Sequence, residues 1–199
     1  MPDEHLPMDQ KRTQRRLGID RRRALTPEQR ARASELLCAR LSGLSAFRNA
    51  RRVFTYAARA EEADPAALCA LAPEKEWYYP LCLSGREMAA LRPLSPDAWQ
   101  RGTFGIPEPV PERSQCCAPE ELELVLVPLT AFDDRCGRVG MGGGYYDCFL
   151  PRCGRAVCMG VAFACQQVER VAAESWDWPL DAVVTERETF VAPGGRIKL

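Results

Sequence analysis

The segment LELVLVPLTAF, residues 122–132, is apolar at almost every position between charged and turn-rich flanks. A half-exposed strand alternates apolar and polar side chains, because successive residues face opposite sides of the sheet. A strand covered on both faces is apolar throughout, so this run predicts the interior of a parallel sheet with helices above and below. RAVCMGVAFA (155–164) has the same character, and RRVFTYAA (51–58), EWYYPLCL (76–83) and DAVVTE (181–186) read as further strands. EMAALRPL (87–94) reads as a shorter one. Helical signals fall between them. TPEQ at 26–29 offers Thr26 as a cap, Pro27 at the first helical position and Gln29 to complete a capping box, with the helix expected to reach about Leu41. DPAALCALA (64–72) reads as a short helix, and the Pro-, Gly- and charge-rich stretch 95–121 as loop. The expectation is an α/β fold: one three-layer αβα domain over residues 1–199, with a mainly parallel, Rossmann-like sheet and residues 1–10 as a disordered tail.

Other classes fit the chain poorly. No apolar run approaches the roughly 20 residues that span a bilayer, and the first thirty residues are polar and arginine-rich, so a cytoplasmic protein without a membrane partner is expected. Lys+Arg and Asp+Glu both number 27, which leaves no net field to attract a polyanion. Residues 11–32 nevertheless hold nine basic side chains against two acidic ones. On a helix, Lys11, Arg15 and Arg22 fall within about 40° of one another. That stripe is either a solvated face or a set of cations aimed at a phosphate-bearing ligand. It lacks interleaved aromatics, so nucleic acid is not the expected partner. Ten cysteines include no Cys-x-x-Cys, and the single histidine is His5, so free thiols are expected rather than a zinc site. Nothing marks a subunit interface; a monomer is the default.

The segment GRVGMGGGYYD (137–147) has five glycines in eight positions. Each glycine in an ordered element costs about 0.5–1 kcal/mol relative to alanine, so the cluster demands an unusual backbone path or a close ligand. It sits between the buried strand and a helix opened by YYDCFL, the context in which α/β proteins bind phosphates. Neither the dinucleotide fingerprint nor the G-K-[ST] phosphate loop fits it. Spacing alone leaves a generic phosphate loop and a tight structural turn as alternatives. Asp147 is likewise open, either a carboxylate favoured in the first helical turn or an oxygen ligand for Mg²⁺.

The sequence AFDDRCGRVGMGGGYYDCFL resembles the signature of the 5-formyltetrahydrofolate cyclo-ligases, also called 5,10-methenyltetrahydrofolate synthetases. KRTQRRLGIDRRRALTPEQR, EEAD, GIPEP and GVAFACQQ…WDWPLDAVVTE are similar to other segments of that family, so the resemblance runs from about residue 11 to 186. It implies a ligase of folate one-carbon metabolism that uses ATP and Mg²⁺ on a reduced folate. The formyl oxygen of 5-formyltetrahydrofolate is phosphorylated, N10 attacks the activated carbon, and 5,10-methenyltetrahydrofolate, ADP and phosphate are released. That chemistry needs positioned charge rather than a protein nucleophile. By resemblance, Lys11 and Arg15 contact the ATP phosphates, and Arg138, Val139, Gly140, Met141, Gly142, Gly143, Gly144, Tyr145 and Tyr146 wrap the nucleotide. Lys11, Arg15, Arg138 and Asp147 form the implied catalytic set. The stretch Met141–Tyr145 also touches folate, together with Ala57, Glu62 and Phe104, and Asp147 and Asp181 are the implied metal carboxylates. Met141 stands where the family often carries Tyr or Arg. The alternatives are a relative that uses the same loop on another formyl or amide substrate, and a non-catalytic folate- or RNA-binding protein.

Overall fold

In the computed structural model, which describes residues 6–102 and 104–197, the apolar run at 122–132 enters the interior of an eight-stranded sheet. In chain order the strands are β1 (Arg52–Phe54), β2 (Glu76–Cys82), β3 (Met88–Pro93), β4 (Trp99–Arg101), β5 (Pro107–Pro109) and β6 (Ser114–Cys117). There follow β7 (Leu124–Pro128), β8 (Ala131–Phe132), β9 (Arg138–Val139), β10 (Val157–Val161), β11 (Ala182–Val184) and β12 (Thr189–Val191). The α-helices are α1 (Leu6–Arg23), α2 (Pro27–Gly43), α3 (Ser45–Asn49), α4 (Ala67–Leu71) and α5 (Tyr145–Phe149).

The main sheet has the order β12-β11-β10-β7-β1-β2-β3-β6. Its centre, β11 to β2, is parallel, and the strands added at either edge are antiparallel. Numbered along the chain, the five parallel strands lie in the order 2-1-3-4-5, with the direction of winding reversing between β1 and β7. This is the flavodoxin-type doubly wound order rather than the dinucleotide-binding one, which refines the Rossmann-like expectation. Both faces are covered, as the apolar run requires. Leu124 and Leu126 of β7 pack with Leu37, Leu41, Phe47 and Leu68 from α2, α3 and α4. Val125 and Val127 face the other way, onto Phe149, Leu150 and Cys153.

Several boundaries differ from the sequence reading. The run 122–132 yields a strand only to Pro128, after which the Thr130 amide donates to the Val139 carbonyl (2.7 Å) and β8 forms a separate hairpin with β9. The stretch 95–121 is not loop throughout: β4 and β5 form a ribbon, and β6 pairs with β3 from Ala90↔Cys117 to Pro93↔Ser114. Residues 6–10 belong to α1 rather than to a tail, while residues 1–5 lie outside the described residues. The helix signalled by TPEQ has both capping-box bonds in place and runs to Gly43. Among the described residues, no helix is long and apolar enough to cross a membrane.

Helix α1 crosses the sheet end at β8, and Gly18 is its contact point. A Cβ there would lie 1.8 Å from the Thr130 carbonyl oxygen, a backbone atom that cannot swing aside. Replacing Gly18 by alanine is expected to cost about 2–3 kcal/mol, the usual scale of overpacking, although alanine is the better helix former. Thermal unfolding checks this: Tm should fall by several degrees. An unchanged or higher Tm would show that α1 is not seated on Thr130.

Candidate functional site

In doubly wound sheets, ligands bind beyond the carboxyl ends of the strands where the winding reverses. Here that point lies past Phe54 of β1 and Pro128 of β7, and the conspicuous sequence segments converge on it. Beyond β1 the chain continues through Thr55, Tyr56 and Ala57 to Glu62. The Tyr56 hydroxyl donates to the Ala63 carbonyl (2.6 Å) and closes this segment into a loop. Beyond β7 come the β8–β9 hairpin and the glycine segment. Tyr146 of α5 meets the Phe54 ring edge-on at 6.5 Å, tying the glycine segment to β1.

The glycines are used in two places for backbone that other residues avoid. Gly142 has φ +97° and Gly144 φ +73°, both in the region that L side chains rarely adopt. Gly144 is also the N-cap of α5, which is one short helical stretch continued by a 3-10 turn over Leu150–Cys153. Met141 is exposed and Val139 buried.

Lys11, Arg15, Gly18 and Arg22 share one stripe of α1, and each side chain on it finds a partner at this end of the sheet. Arg15 Nε donates to the Gly140 carbonyl (2.7 Å), and a Cβ on Gly142 would lie 3.3 Å from the Arg15 guanidinium carbon. Lys11 Nζ pairs with Glu174 (2.7 Å) and Asp177 (2.6 Å). Arg22 is only 1% exposed and faces Glu62 at 3.4 Å and Glu61 at 3.7 Å. Glu62 also accepts from the Arg59 amide (3.1 Å). Arg138, buried at 6%, is bound to Asp147, whose carboxylate further accepts from the Trp178 amide at 3.4 Å. Tyr146 lies between these charges. Burial first, then the nearby Glu62, pushes its phenol well above the ordinary range, with Arg138 opposing. Several buried polar atoms here have no hydrogen-bond partner among the described residues: Thr55 Oγ1, Arg22 Nε and Nη2, and Arg138 Nε. Buried polar groups are normally satisfied, so their clustering at a crevice marks it as a place for a polar ligand.

Beside the loop lies a cleft of about 480 Å³ lined by Ala58, Arg59, Glu61, Phe104 and Ile106 among others. Phe104 is 49% exposed and meets the Tyr145 ring edge-on at 5.9 Å. An exposed aromatic at the rim of a concave site offers a flat ligand a stacking surface. Ala57 and Glu62 bracket the segment that forms the opposite wall.

Asp181 stands apart from this arrangement. It precedes β11, and its carboxylate accepts from Arg196 Nε (2.9 Å), Arg196 Nη2 (2.8 Å), the Arg196 amide (3.0 Å) and the Cys158 amide (2.8 Å). Burial alone would raise its pKa, but these donors outweigh burial and hold it below the ordinary 3.8. Among the described residues it shares no hydrogen-bond partner with Asp147, and no three His, Cys, Asp or Glu side chains form a metal cage. A carboxyl group with a lowered folded-state pKa stabilises fully above its unfolded pKa, and that contribution is lost as pH falls through the folded value. Asp181→Asn is therefore expected to lose about 2 kcal/mol at pH 7, the scale of charge-assisted hydrogen bonds. The gap from the parent should close below pH 3.8. Denaturant unfolding at both pH values checks this, and a gap independent of pH would contradict it.

The sequence reading did not anticipate Glu174 and Asp177 as partners of Lys11, or Arg86, which reaches Gly144 from the β2–β3 turn. Charge alone did not distinguish these residues from solvated neighbours.

The fold and site define a class: a doubly wound α/β protein with an arginine-flanked glycine loop at its switch point. Residues 7–186 match the 5-formyltetrahydrofolate cyclo-ligase family, and the chain belongs to that family. It is 33% identical over 178 residues to the 5-formyltetrahydrofolate cyclo-ligase of Haemophilus influenzae, covering 86% of this chain and 95% of that one. Identity to the Escherichia coli K12 protein of the same name is 31% over 180 residues, covering 85% and 97%. The solution structure of Aquifex aeolicus 5,10-methenyltetrahydrofolate synthetase superposes with a TM-score of 0.82 at 34% identity, covering 95% and 96%.

Proposed function

We propose that the protein closes 5-formyltetrahydrofolate to 5,10-methenyltetrahydrofolate at the expense of ATP. The observation that carries this reading is the placement of the glycine loop and Arg15 together at the switch point, beside a cleft with an aromatic rim. The family's named relatives supply the substrate and product.

In this reading the backbone of Arg138–Tyr146 follows the nucleotide, with Gly142 and Gly144 admitting it closely. Arg15 and Lys11 neutralise its phosphates. Lys11 is drawn partly from Glu174 and Asp177 as the anion enters. The folate ring lies against Phe104 and Tyr145, with Ala57, Glu62 and the loop centre around it. Glu62, held by Arg22 and the Arg59 amide, presents a fixed acceptor to the N–H groups of a pterin. Protein groups form no covalent intermediate; they align the formyl oxygen with the terminal phosphate and offset the charge that develops.

Magnesium fits the site through Asp147. Mg²⁺ beside phosphates takes one or two carboxylates and keeps several waters, so no larger protein cage is required. Asp147 is partly exposed and takes the ion by loosening its pair with Arg138, whose unpartnered Nε is a donor for a phosphate oxygen rather than a metal ligand. Bound there, the ion would neutralise phosphate charge. Asp181 joins as a second carboxylate only by exchanging Arg196 for the metal.

Labelling the formyl oxygen with ¹⁸O tests the proposal. Phosphorylation of that oxygen sends the label into the released phosphate. Unlabelled phosphate accompanying methenyl product would contradict phosphoryl activation of the formyl group.

A further inference from the structure

The glycine loop is gripped from a second direction. The turn joining β2 to β3 is built on Gly85 (φ +69°) and Arg86 (φ +66°). Arg86 and Cys136 are the non-glycine residues with positive φ among the described residues. Such a conformation costs an ordinary residue roughly 1 kcal/mol or more, so something sets the direction of the Arg86 side chain. That direction is across the loop. A Cβ on Gly144 would lie 3.4 Å from Arg86 Cδ, 3.6 Å from Nη1 and 3.8 Å from Nε.

Two residues earlier, Gly142 lies equally close to Arg15, with 3.3 Å to the guanidinium carbon and 3.5 Å to Nη2. Two guanidinium groups thus flank Gly142–Gly144 from different elements of the fold. Among the described residues, Arg86 has neither an ion pair nor a hydrogen bond, and the only partner of Arg15 is the neutral Gly140 carbonyl. The nearby carboxylates are committed elsewhere, Asp147 to Arg138 and Glu174 and Asp177 to Lys11. Arg86 is exposed and Arg15 half-buried, so two cations at one loop with no uncommitted carboxylate beside them are open to an anion from solvent. Planar guanidinium forks suit the oxygens of phosphate or carboxylate.

We propose that Arg86 is an anion-binding residue which, with Arg15, holds a phosphoryl group of the nucleotide against Gly142–Gly144. The proposal rests on the nucleotide-using reading and adds a residue to its site. A folate carboxylate has the same charge chemistry, and the test separates the two sources.

Binding of ATP, of inorganic tripolyphosphate and of 5-formyltetrahydrofolate is measured separately by calorimetry for the parent, Arg86→Gln, Arg86→Lys and Arg86→Gly. Loss of one charge-assisted contact should weaken both ATP and tripolyphosphate by about 10- to 100-fold in the Gln and Gly variants. Folate affinity should be unchanged, and lysine should restore part of the loss. Arg86→Gly, which relieves the backbone, should keep or raise Tm, whereas a structural role would lower it. ATP and tripolyphosphate affinities within twofold of the parent would overturn the inference. So would a loss confined to folate, which would give Arg86 to a carboxylate. Parent turnover that is normal and unaffected by these variants overturns the inference alone. Tripolyphosphate binding lost in Arg86→Gln, in a parent that makes no methenyl product, sustains it and overturns the folate reading.

Discussion

Replacing Arg15 by alanine is expected to lower turnover about 100- to 1,000-fold, the usual effect of removing one preorganised donor from a charge-stabilising site. Arg15 projects from α1 over Gly142, and among the described residues no carboxylate neutralises it, so its charge is available to a transferring phosphoryl group. The fold should survive. Among the described residues the one bond it makes is to the Gly140 carbonyl, and such a bond contributes about 1 kcal/mol. Lysine at this position should recover only part of the rate, because an ammonium lacks the planar fork. Turnover with saturating ATP and folate, measured beside thermal unfolding, gives the answer. A rate within a few-fold of the parent at unchanged Tm would remove Arg15 from the phosphate site.

The second large effect falls on stability. Arg22 is 1% exposed, and Glu62 is its nearer carboxylate partner at 3.4 Å, ahead of Glu61 at 3.7 Å. Glu62→Ala leaves a buried guanidinium with only the more distant acid, and breaking a buried pair in this way typically costs about 3–5 kcal/mol. In a domain of this size that lowers Tm by roughly 6–20 °C. Glu62→Gln keeps one acceptor oxygen, enough for Arg22 or for the Arg59 amide but not for both, so it should lose less stability than alanine does. If Glu62 contacts the pterin, the Gln variant should still weaken folate binding and leave ATP binding untouched. A Glu62→Ala protein as stable as the parent would show that Glu61 suffices to hold Arg22.

Legibility in the sequence followed the range of the interactions. The α2 start was readable because every capping partner lies within three residues, from Thr26 to Gln29. The central position of β7 was readable because burial on both faces imposes an unbroken apolar run. The α1 stripe could be drawn from helical periodicity, and the structure brings Lys11, Arg15 and Arg22 to the same end of the sheet. What escaped depends on distant chain. Ser114–Cys117 has no strand signal of its own and is strand because β3 offers it an open edge. Resemblance alone implied a metal role for Asp181, and its ion pair with Arg196, 15 residues ahead, lies beyond any local rule. Arg86 was one arginine among many until the β2–β3 turn laid it on Gly144, and Lys11 gave no hint of the two carboxylates that hold it.

A chain that spends ATP to close a folate ring should generate the absorbance of the methenyl product on mixing. Purified protein is combined with 5-formyltetrahydrofolate and Mg²⁺, with and without ATP, alongside an Asp147→Ala sample. Product is expected only when ATP is present, with the rate collapsing in the Asp147 variant. Absence of product from folded protein that binds ATP, or product formed equally well without ATP, would contradict it.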